Sequence, residues 1–89
     1  MTKHERRALR LERLFWELRD KYFAASGERI TCHEIMWDID GLKKFHGLSA
    51  QEKAGLCERA ICATDGYESA EYLIAEQTEA YGSLAGFFA

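Results

Sequence analysis

None of the 89 residues is proline. Proline fixes φ and removes a backbone donor, so its absence leaves every segment free to hold a continuous helical hydrogen-bond ladder. β-branched residues are few, and Ala, Leu, Glu, Lys and Arg recur throughout, a mixture that favours helix over sheet. The chain is therefore expected to be all-α.

Where the helices start is suggested by a repeated local pattern. A Ser, Thr or Asp side chain can accept the amide three residues on, while a Glu at that position reaches back to the cap. Thr2-Lys3-His4-Glu5, Thr31-Cys32-His33-Glu34, Ser49-Ala50-Gln51-Glu52 and Asp65-Gly66-Tyr67-Glu68 all fit. With breaks at Gly27, Gly47 and Thr64, they predict a compact bundle of about four helices, over approximately 3–25, 32–46, 50–64 and 66–85. The 89 residues are expected to form one domain.

Apolar residues at 3.6 periodicity name the expected core. In the first helix these are Leu11, Leu14, Phe15, Leu18 and Tyr22, with Gly27 as the stop. The second helix offers Ile35, Met36, Ile39 and Leu42, with Gly41 weakening its middle. Ala54, Leu56, Cys57, Ala60 and Ile61 serve the third, and Ala70, Leu73, Ile74, Gln77, Tyr81 and Leu84 the fourth. The Gly86-Phe87-Phe88-Ala89 tail is too apolar to lie free in water.

Catalytic and metal signatures fail on specific residues. His33-Glu34-Ile35-Met36-Trp37 begins like a zinc-protease helix but has Trp37 where the second histidine belongs. Asp38-Ile39-Asp40-Gly41 lacks the further oxygen ligands of a calcium loop. Cys57 and Cys62 are five apart on a helix and point to different faces. There is no glycine-rich phosphate loop and no nucleophile elbow. The expectation is no enzyme, no metal and no cofactor.

The three cysteines fit buried thiols in a reducing compartment, and no apolar run reaches the roughly 20 residues that span a bilayer. A cytoplasmic protein without a membrane segment is expected.

The surplus patterning lies elsewhere. Leu9, Trp16 and Phe23, spaced seven apart, form a second apolar line on the first helix, opposite its core stripe. They are either covered by the chain itself or meet a partner or a second copy. Trp37 stands off the core stripe of the second helix. Charge is also uneven along a chain of net charge −3: residues 1–29 carry +3, residues 30–63 carry −1 and residues 64–89 carry −5. Asp65, Glu68, Glu76 and Glu79 are expected to cluster around Tyr72 on the fourth helix, with Glu71 at the side.

These features point to a small protein-binding module acting stoichiometrically, with Leu9, Trp16, Phe23, Trp37, Glu68, Tyr72, Glu76 and Glu79 as contact residues. The expected partner is a protein with a basic surface such as a nucleic-acid-binding groove, and the same patterning allows a homodimer. Size and organisation are analogous, at the level of class only, to phage-encoded anti-defence inhibitors of the anti-CRISPR kind. The alternative is a small nucleic-acid-binding regulator using Arg6, Arg10 and Arg13, or a helix-turn-helix-like unit of the second and third helices. It is disfavoured because the third helix offers only Lys53 and Arg59 as cations.

Overall fold

A computed structural model describes residues 1–25 and 29–89. Among them there is no strand, and five α-helices run in order: α1 Lys3–Tyr22, α2 Arg29–Gly41, α3 Ala50–Thr64, α4 Tyr67–Tyr81 and α5 Leu84–Phe88. Two short 3-10 turns, Phe23–Ala25 and Lys43–Phe45, follow α1 and α2. The radius of gyration is 12.6 Å, close to the roughly 12 Å expected of a compact chain of this length. The all-α bundle expected from sequence is the observed architecture.

Local chemistry explains the helix boundaries. Thr2 and Ser49 are true N-caps, each accepting the amide three residues on at 3.1 Å, and Glu5 and Glu52 close the reciprocal bonds. The other two capping expectations are corrected. Thr31 lies inside α2, which starts earlier, and is buried. Gly66, not Asp65, is the N-cap of α4; its φ of +96° is one an L side chain resists, while Asp65 ends α3 by donating its amide to the Ile61 carbonyl. Gly27, the expected stop of the first helix, lies outside the described residues.

Two helices end sooner than the periodicity suggested. α2 stops at Gly41, and Leu42 turns extended, leaving it exposed. Phe45 takes the core position instead, with no exposed surface. The fourth expected helix divides at Gly82, left-handed at φ +82°, and Ser83 then caps α5 by accepting the Gly86 amide at 2.9 Å. Tyr81 is consequently exposed rather than buried, whereas Leu84 and Phe88 close the core. Leu11, Ala54 and Ile74 are only half-buried at its margin.

The centre of the bundle is α3, which packs against each of the other four helices. Its Cys57, Ala60 and Ile61 are fully buried in one cluster with Ile35 and Ile39 of α2, Leu14 and Leu18 of α1 and Leu73 of α4. Small side chains at Cys57 and Ala60 permit that closeness. α1 is a peripheral helix, and this decides which of its two apolar lines is covered.

Candidate protein-binding surfaces

The first surface follows from the peripheral position of α1. Leu14, Phe15, Leu18 and Tyr22 turn inward, so Leu9, Trp16 and Phe23 turn outward and are 55%, 48% and 54% exposed. The reading in which the chain itself covers this line is therefore set aside. The line is ordered by its neighbours. The Arg19 guanidinium carbon sits 5.3 Å from the Trp16 ring centre and 4.7 Å from that of Phe23. The Trp16 indole donates to Glu12 Oε1 at 3.2 Å and meets Phe15 edge-on. Glu12 is in turn held by a two-pronged contact from Arg59 of α3, at 2.7 and 2.9 Å. Arg59 also lies 3.8 Å above the Phe15 ring, so α1 is clamped to the bundle beside its exposed face.

The second surface lies where α2 meets α4. His33 Nε2 is 2.7 Å from Glu76 Oε1. A carboxylate only accepts, so Nε2 carries the proton and donates. Tyr72 donates to the other carboxylate oxygen at 2.9 Å, and the Gln77 amide to Oε1 at 3.1 Å. These donors hold the Glu76 carboxyl below its ordinary value, His33 contributing most. The His33 ring lies near both Tyr72 and Trp37, at 6.1 and 5.8 Å between ring centres. Trp37 remains 54% exposed.

Of the expected contact residues, Trp37, Tyr72 and Glu76 are thus brought together through His33, which sequence reading did not place among them. Tyr72 is not simply ringed by carboxylates: it is half-buried, bonded to Glu76 one turn along α4 as the spacing suggested, and it also meets the His33 ring of α2, a contact across helices that no spacing within α4 could disclose. Glu76 is occupied holding this cluster. Glu68, Glu71 and Glu79 remain exposed on α4.

A file of Cys32, His33 and Glu76 also stands here, the Cys32 sulfur 3.7 Å from His33 Nδ1. Nucleophilic cysteines need an accessible, lowered thiol. Cys32 has no exposed surface, and burial pushes its thiol up to about 11. Among the described residues, no three His, Cys, Asp or Glu side chains converge as a metal ion requires, and no helix is long and apolar enough to cross a membrane.

The arginines of the nucleic-acid alternative separate. Arg10 donates to the Lys44 and His46 carbonyls at 2.9 and 2.7 Å, tying α1 to the loop before α3. Neighbouring Arg7 pairs with Glu52, already part of the α3 cap, and Glu52 is drawn down to about 2 chiefly by that contact. Arg6 and Arg13 are exposed and make no ion pair among the described residues. No protein-family model, curated protein or solved structure matches this chain.

Proposed function

We propose that this protein acts by binding another protein through its outer helix faces, as a stoichiometric inhibitor or regulator whose partner presents a basic surface. The observation that carries this reading is Trp37, more than half exposed yet backed by the His33–Glu76–Tyr72 cluster. An aromatic anchor backed by fixed neighbours loses little freedom on binding, and tryptophan is among the residues that dominate interface energetics. Glu68, Glu71 and Glu79 on the adjoining helix supply a negative field that favours encounter with a cationic partner. Against the nucleic-acid alternative stands Arg10, whose guanidinium is taken up by the Lys44 and His46 carbonyls.

The test begins with capture of the partner on immobilised protein from the cells that make it. Its affinity for the wild type and for Trp37→Ala then decides. The loss expected is roughly 2 kcal/mol, about thirtyfold, with the helical circular dichroism unchanged. Binding should also slow as salt rises, and Glu68→Lys/Glu79→Lys should slow it further. Equal affinity of Trp37→Ala and wild type removes this face from the function.

A further inference from the structure

We infer that the exposed face of α1 pairs with α1 of a second copy, antiparallel, about a two-fold axis at Trp16. This deepens the protein-binding reading by naming what meets the α1 face, and leaves the Trp37 face to its own partner.

The face is arranged symmetrically about Trp16. Leu9 and Phe23 each stand seven residues from it, and all three side chains are about half exposed. The backbone stays right-handed helical to Phe23, at φ −57° and ψ −39°, so the line remains straight through its third member. In an antiparallel pair, Trp16 meets Trp16 of the copy and Leu9 meets Phe23 at both ends. A self-complementary patch of this kind is what an isologous two-fold contact needs.

Charge along the edges fits the same arrangement. Arg13 and Asp20, three residues before Trp16 and four after it, share one edge of the line, and both are exposed. A two-fold axis perpendicular to the helices sets edge against like edge with the chain direction reversed, so Arg13 faces Asp20 of the copy, twice per dimer. On the opposite edge, Glu12 likewise faces Arg19. A parallel pair would also bring opposite charges together locally, Arg13 beside Glu12. However, residues 3–13 carry five cations against two acids, whereas residues 14–23 balance two against two. A parallel pair stacks the two +3 halves on each other; the antiparallel pair sets each against a neutral half.

Three exposed apolar residues make a seam at the small end of specific interfaces, so association is expected to be weak and concentration-dependent. Sedimentation equilibrium from about 5 to about 500 μM in low salt should show the mean mass climbing from 10.2 kDa toward twice that value. Trp16→Glu should hold the protein at monomer mass, with Leu9→Glu as a second variant should the first alter helicity. Arg13→Glu and Asp20→Arg should each weaken association about fivefold or more, and Arg13→Glu/Asp20→Arg should restore it. That rescue is specific to the antiparallel register, because in a parallel pair the double exchange sets an acid against Glu12 and a cation against Arg19. Monomer mass at every concentration, association indifferent to Trp16→Glu, or failure of the double exchange to restore it would each overturn the inference. Trp37→Ala should leave self-association unchanged, so failure here and failure of the Trp37 partner face are read separately.

Discussion

His33 of α2 donates to Glu76 of α4 across 2.7 Å, and through that bond two helices and two aromatic rings are fixed in one arrangement. The bond has a pH signature. Folding lowers the Glu76 pKa below its ordinary 4.5, so the folded state binds fewer protons there than the unfolded chain does. The resulting stabilisation is present above about 4.5 and is lost as pH falls through the lower folded value. Thermal melts followed by circular dichroism should therefore show a shallower acid limb for Glu76→Gln than for wild type. Parallel limbs would show that Glu76 is not linked to folding.

The cap of α3 allows a prediction of size. Ser49→Ala removes the acceptor for the Glu52 amide and should cost about 1 kcal/mol, lowering Tm by roughly 4–8 °C. Arg7→Ala should act differently. With its partner gone, Glu52 titrates closer to its ordinary value, so its share of stability is lost at higher pH than in wild type, where it persists toward about pH 2. Chemical-shift titration of the Glu52 carboxyl is the direct measurement.

The basic residues of α1 should divide by role. Arg10→Ala removes two donors from the Lys44 and His46 carbonyls and should destabilise by about 1 kcal/mol in urea unfolding. Arg6→Ala and Arg13→Ala should leave the unfolding midpoint nearly unchanged. A low-salt gel shift with duplex DNA and single-stranded RNA completes the comparison. A shift abolished by Arg6→Ala/Arg13→Ala would revive the nucleic-acid alternative; the protein-partner reading expects none.

Two glycines should respond oppositely to alanine. Gly55 lies within α3 with open space where a Cβ would stand, so Gly55→Ala should stabilise by about 0.5–1 kcal/mol. At Gly86 a Cβ would stand 2.2 Å from the Tyr81 carbonyl oxygen, so Gly86→Ala must displace α5 and uncover Leu84 and Phe88. A loss of more than about 1 kcal/mol is expected. Urea midpoints of the two variants provide the check.

What could be read from the sequence was what depends on neighbours along the chain. The start of α3 follows from Ser49, Glu52 and the break at Gly47, and the inward line of α1 follows from its periodicity. The missed features depend on three-dimensional context. Periodicity could not say that α2 would end at Gly41 and hand the core position from Leu42 to Phe45 in the turn that follows. Gly82-Ser83 did carry a stop followed by a start, a signal outweighed by the apolar spacing that runs across it to Leu84. The His33–Glu76 bond joins residues 43 apart and had no sequence signature.

Both tryptophans stand half in water, while the core is filled by leucine, isoleucine, phenylalanine and cysteine. The spectroscopic consequence is that indole emission from the native protein should already lie near that of hydrated tryptophan. Intrinsic fluorescence will then be a poor thermometer of unfolding but a sensitive reporter of anything that settles on either face. A blue shift on mixing, at constant helicity, would be the optical mark of a face being covered.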